Sequence, residues 1–98
     1  MQAIDFGTRF IKAVIKSELP YYQAGCLLAI AAGLDTAYDI ANFYDMPNTR
    51  TINPSLKSLA KAGYLVATPD DFAGIDIYRL SDSGKALVKK MFSFLPKR

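Results

Sequence analysis

Apolar residues recur along this chain with a period that changes past its middle, and the change predicts helices first and a hairpin afterwards. Ile4, Ile11, Val14 and Ile15, with Phe10 alongside, fall on one helical stripe within residues 1–18. Gly7 lowers helix propensity there and leaves the start loosely marked. Pro20 closes that segment and suits the opening of the next helix. Over 21–32, Ala24, Leu27, Leu28 and Ala31 repeat at helical spacing, and Ile30 widens the stripe, as expected of a central core helix. Gly33 ends it. Asp35 is the expected N-cap of a third helix, because its carboxylate can accept the free N–H groups of a first turn. Ala37, Ile40, Ala41 and Tyr44 mark its buried face, and Phe43 extends that face. Residues 45–48, Asp-Met-Pro-Asn, have turn chemistry. A fourth helix follows over 49–62, with Ile52, Leu56 and Leu59 inward and Gly63 as its C-terminal stop.

Beyond Gly63 the period is two. Residues 64–68 and 75–80 read as strands, and Pro-Asp-Asp-Phe-Ala-Gly at 69–74 as the loop between them. Ser81 is expected to cap a last helix by accepting an N–H near Gly84. Leu87, Val88, Met91, Phe92 and Leu95 give that helix a broad apolar face. The order predicts one mostly α domain with a small β-hairpin (α+β) over residues 1–98. Its parts are an N-terminal helix (1–18), a winged helix-turn-helix core (20–80) of three helices and a two-stranded wing, and a C-terminal helix (81–95). The helices on either side of residues 45–48 fill the helix-turn-helix slot, and the second is in the recognition position.

Composition narrows the function classes. About half of the 98 residues are hydrophobic (51%) and about a fifth charged (21%), a globular balance. The longest apolar run, residues 24–34, falls short of the roughly 18 residues that span a bilayer. Asp5 and the spaced apolar positions near the start do not follow the order of a signal peptide, so a cytoplasmic protein is expected. The lone Cys26 has no intramolecular disulfide partner; it sits among Ala24, Leu27 and Leu28 and reads as a small buried apolar residue. With no histidine, no zinc-type metal site is expected, and no cofactor. There is no nucleophile–base pair and no Gly-rich phosphate loop, so an enzyme is not expected.

Charge is unevenly placed. Residues 1–47 hold three basic side chains against five acidic ones; residues 48–98 hold nine against four. A basic half suits an acidic partner such as a nucleic-acid backbone, and it equally describes a solvated surface.

Two segments carry a family resemblance. Thr-Ile-Asn-Pro-Ser-Leu-Lys-Ser-Leu-Ala-Lys-Ala-Gly-Tyr-Leu-Val at 51–66 resembles the PadR-like recognition helix running into its first wing strand. A proline stands in that family's helix at the point of Pro54, two residues before a buried leucine. Ile-Tyr-Arg-Leu-Ser-Asp-Ser-Gly-Lys-Ala-Leu at 77–87 is similar to the second wing strand and following helix of both PadR-like and MarR regulators. The resemblance covers residues 35–90. It implies a winged-helix transcriptional regulator, for example a repressor, that binds double-stranded DNA as a homodimer.

The residues themselves supply the matching chemistry. With Ile52, Leu56 and Leu59 inward, Thr49, Arg50, Asn53, Lys57 and Lys61 face outward, and Ser55 and Ser58 flank them. Arg50 and Asn53 lie in the leading turns, where arginine can bind guanine and asparagine adenine through paired hydrogen bonds. Asn48, Thr49, Thr51 and the free N–H groups at the helix start suit a phosphate. Lys57 and Lys61 fall further along and are assigned to the DNA backbone. The same pattern also describes the wet side of an amphipathic helix. Arg79 is the only basic residue of the hairpin. The wing loop carries Asp70 and Asp71, which a phosphate-lined groove repels, and Phe72. That leaves a second function open, a protein-interaction module (adaptor or inhibitor) with its partner at Asp70, Asp71 and Phe72. Tyr21, Tyr22, Tyr38 and Tyr44 are expected in the core or at its rim. Lys85, Lys89, Lys90, Lys97 and Arg98 are expected on the wet side of the last helix. Ile4, Phe10, Ile11 and Ile15, with Val88, Met91, Phe92 and Leu95, offer more apolar surface than so small a core covers. They are the expected dimer interface.

Overall fold

The computed structural model describes residues 2–70 and 74–93, with side chains from Arg9 onward. Five helices and one hairpin follow in the expected order: α1 (Gln2–Ser17), α2 (Tyr21–Ala31), α3 (Ala37–Phe43), α4 (Ile52–Lys61), β1 (Leu65–Asp70), β2 (Ile75–Leu80) and α5 (Asp82–Met91). The apolar α2 lies at the centre and touches α1, α3, α4, α5 and β2. It contributes Ala24, Cys26, Leu27, Ala29 and Ile30 to a core completed by Ile40, Ile52, Leu56, Leu59, Leu65, Tyr78, Leu87 and Met91. Ala31, by contrast, is exposed. β1 and β2 pair antiparallel, with Leu65 opposite Leu80 and Asp70 opposite Ile75.

Several boundaries differ from the sequence pattern, each for a local reason. The cap of α3 is Thr36, not Asp35: its Oγ1 accepts the Asp39 N–H at 3.1 Å. Asp35 instead uses its backbone carbonyl, which accepts the Tyr78 N–H at 2.7 Å and ties β2 to the start of α3. The fourth helix starts at Ile52 rather than at residue 49. Asn53 N–H already bonds Thr49 O at 2.9 Å, but Pro54 has no N–H for the Arg50 carbonyl, so unbroken helical bonding begins later. Pro54 is therefore the third helical residue, where a missing donor costs little. β1 runs on through Pro69 and Asp70, residues expected in the loop; Pro69 is tolerated in a strand with an open edge. Phe43 and Tyr44 do not extend the buried face of α3, since they are 64% and 38% exposed.

The remaining caps are those the sequence marks. Ser81 Oγ accepts the Gly84 N–H at 3.0 Å and donates to the Gly63 carbonyl, while Ser81 N–H reaches Tyr64 O at 3.1 Å. Gly63 adopts the left-handed conformation (φ 91°) that lets the chain leave α4 for the wing.

The expected dimer face is divided by the fold. Met91 is wholly buried in its own core, and Val88 and Phe92 pack half-buried against that core. Met91 therefore offers no surface to a second chain. Ala13 of α1 is also wholly buried, and α1 and α5 pack together. On α1, Ile11 and Ile15 stay 58% and 68% exposed, while Phe10 is half-buried with its ring edge-on to Tyr21 at 6.4 Å. The side chains of Ile4 and Leu95 lie outside the described residues. Among the described residues, no helix is long and apolar enough to cross a membrane.

Candidate nucleic-acid interface

Burial of Ile52, Leu56 and Leu59 orients α4 and turns Arg50, Asn53, Lys57, Ser58 and Lys61 to the exterior, all exposed as the sequence places them. Asn48 is exposed too, and its Oδ1 accepts the Arg50 N–H at 3.0 Å, which shapes the lead-in to the helix. Thr49 is half-buried, and its Oγ1 accepts from Asn53 Nδ2 at 3.1 Å. That bond fixes the Asn53 amide and leaves its carbonyl oxygen and second N–H proton available outward. Thr51 is half-buried and makes no side-chain cap.

Ser55 departs from this surface. It is 8% exposed and its hydroxyl donates to the Thr51 carbonyl at 3.1 Å, so it faces the core and not the exterior. Burial pushes the neighbouring Cys26 thiol up to about 11, and the Ser55 hydroxyl offsets part of that rise. The one-in-three-or-four spacing of a helix places Ser55 beside Ile52, Leu56 and Leu59, and that spacing was the available signal.

Asn53 and Lys57 share a cleft of about 270 Å³ with Tyr38 from the first turn of α3 and with Asp76 and Tyr78 from the wing. Tyr38 is 64% exposed, away from the core where the tyrosines were expected. It stands off the Ala37–Ile40–Ala41 stripe, which is the sequence signal for it. Tyr21 and Tyr22 are likewise exposed, at 65% and 56%. Asp76 could be found only by strand alternation: it lies two residues from buried Tyr78, on the same face of β2. Arg79 falls on the opposite face. It lines a separate shallow groove with Asp35 and Lys85, so the fold does not bring it together with the α4 residues. Asp70 is half-buried at the end of β1, where its carbonyl accepts the Gly74 N–H at 2.8 Å; Asp71 and Phe72 lie outside the described residues.

No protein-family model matches the sequence, and no curated protein matches it. Solved structures do match. The transcriptional regulator Tm0710 of Thermotoga maritima superposes with a TM-score of 0.75 at 16% identity, over 94% of this chain and 67% of that one. Reduced AbfR bound to DNA superposes with a TM-score of 0.66 at 22% identity, over 98% and 73%. A MarR-family protein of Bacillus stearothermophilus superposes with a TM-score of 0.71 at 14% identity, over 93% and 64%. The fold is the MarR-type winged helix. At these identities the likeness concerns fold, and the chain spans about two thirds of the length of the structures it matches. In this winged helix α3 and α4 form the helix-turn-helix, β1 and β2 the wing, and the Asn53–Lys57–Asp76 cleft lies between α4 and the wing.

Proposed function

We propose that this protein binds double-stranded DNA as a small regulator of transcription, with α4 in the major groove. One observation carries the reading: Asn53, Lys57 and Lys61 are exposed together along a helix whose opposite face is locked into the core, and Arg50 is exposed in the turn that leads into it. Arg50 and Asn53, in the leading turns, meet base edges; Lys61, Asn48 and Thr49 hold phosphates. Neighbours of the same fold are described as transcriptional regulators, and AbfR is seen bound to DNA, which supports the same reading. No observation favours the alternative of a protein partner at the wing. A regulator of this kind works in the cytoplasm, where its DNA is.

The test is fluorescence anisotropy of labelled duplex DNA, including sequence upstream of the protein's own gene, at several salt concentrations. Wild type should bind tightly with steep salt dependence, and an Arg50→Ala/Lys57→Ala double variant should lose that binding. Absence of wild-type binding even at low salt would overturn the reading.

The same proposal includes a second copy of the chain. Exposed Ile11 and Ile15, one helical turn apart on α1, form the apolar strip left for it once Met91 is assigned to the core. Two recognition helices roughly 34–36 Å apart would then read a palindromic site. Ile15→Glu should convert a dimer to a monomer in sedimentation velocity, and a wild-type chain that sediments as a monomer would remove this part.

A further inference from the structure

Accepting that the helix–wing cleft receives DNA, its charges are arranged in an unusual way. Asp76 of β2 lines the same cleft as Lys57 and Asn53 of α4. Both Asp76 and Lys57 are exposed, and among the described residues neither side chain makes a hydrogen bond or an ion pair. A cation and an anion thus face one cleft without neutralising each other.

A carboxylate has only acceptor atoms, so a phosphate repels it, and the groups of a duplex that satisfy it are the amino groups of bases. Lysine has only donors. In the major groove a G·C pair presents two acceptors, guanine N7 and O6, and beside them one donor, the cytosine N4 amino group. An A·T pair places its adenine amino group between two acceptors, N7 and thymine O4, so a carboxylate reaching it meets repulsion on both sides. The separated charges of Lys57 and Asp76 match the first pattern and not the second.

We propose that Lys57 and Asp76 together read one G·C base pair, Lys57 donating to guanine N7 and O6 and Asp76 accepting from cytosine N4. This assigns Lys57 to a base rather than to the backbone. It also gives the acidic wing a part in sequence selection: Asp76 rejects any register that places phosphate or an A·T edge in the cleft.

The test is selection of duplexes from a randomised library by wild type, Asp76→Asn and Lys57→Gln, with urea midpoints confirming that each variant is folded. Wild type should enrich a G·C pair at one position of each half-site. Both variants should relax that position and leave the others selected. On a fixed selected duplex, exchanging that G·C for A·T should weaken wild type by roughly fivefold or more, and should weaken Asp76→Asn and Lys57→Gln less. If the variants keep the wild-type preference, relax different positions, or lose all binding while folded, the pair does not read a base and the inference falls with the DNA reading intact. If wild type enriches no duplex at all, both fall together.

Discussion

Gly84 packs against the Tyr64 carbonyl so closely that a β-carbon built on it would lie 2.0 Å from that oxygen. The contact belongs to the junction between recognition helix, wing and α5. The Gly63 and Tyr64 carbonyls there receive the two Ser81 donors, and the Ser81 hydroxyl in turn accepts from Gly84 N–H. Both sides of the contact are backbone, so neither can rotate away. Gly84→Ala should therefore cost about 3 kcal/mol, the upper end of overpacking effects, read as a lower urea midpoint. A loss below about 0.5 kcal/mol, the range of surface substitutions, would show that the junction yields.

Glu18 ends α1 in the left-handed region, with φ 57°. L-residues other than Asn and Asp hold that conformation at a cost of roughly 1–2 kcal/mol. Glu18→Gly should raise stability by up to about 1 kcal/mol, although it removes the Lys90 ion pair at 3.6 Å, because both side chains of that pair are largely exposed. Glu18→Ala keeps the strained backbone, loses the pair and should gain nothing. Equal midpoints for the two variants would discard the strain account.

Asn53 and Ser55 separate surface from core on one helix. Asn53→Ala should weaken binding to a selected duplex by about 1–3 kcal/mol and relax the choice of base it contacts. Ser55→Ala should leave DNA affinity as it is and lower folding stability by about 1 kcal/mol, since the hydrogen bond to the Thr51 carbonyl is lost. Reversal of these effects in anisotropy and denaturation curves would invert the orientation of α4.

Cys26 sets an alkaline limit. Its thiol is held neutral by burial, with a pKa pushed from 9.0 up to about 11. The stability this gives is complete below pH 9 and disappears as pH rises through 11, because the unfolded chain loses its proton first. Burial also raises Tyr44 and Tyr78 in the same direction. The urea midpoint should fall between pH 9 and 11, with a shallower slope in Cys26→Ala. In native protein at pH 8 the thiol should resist an aromatic disulfide reagent and react only on unfolding. Prompt labelling of the native state would contradict its burial.

The positions that were legible in the sequence are those where one residue type has one physical use. Gly63 leaves a helix, Ser81 caps one, and Ile52, Leu56 and Leu59 repeat along a single face. Misreadings arose where two neighbours could serve the same purpose. Asp35 and Thr36 can both cap α3, and only the pull of Tyr78 on the Asp35 carbonyl separates them. Phe43 and Tyr44 end a seven-residue helix with too few turns to define its stripe. Met91 could have faced a second chain or its own core, and its complete burial decides the matter. Asp76 is marked only by its alternation along β2; that it shares a cleft with α4 appears only in the folded chain.

The hydrogen bond from Tyr78 N–H to the Asp35 carbonyl makes the wing a lever with a fixed fulcrum. The hairpin is anchored at its midpoint to the start of α3, while its base runs directly out of α4. Displacing the hairpin from its place would therefore load the start of α3 and the end of α4 together.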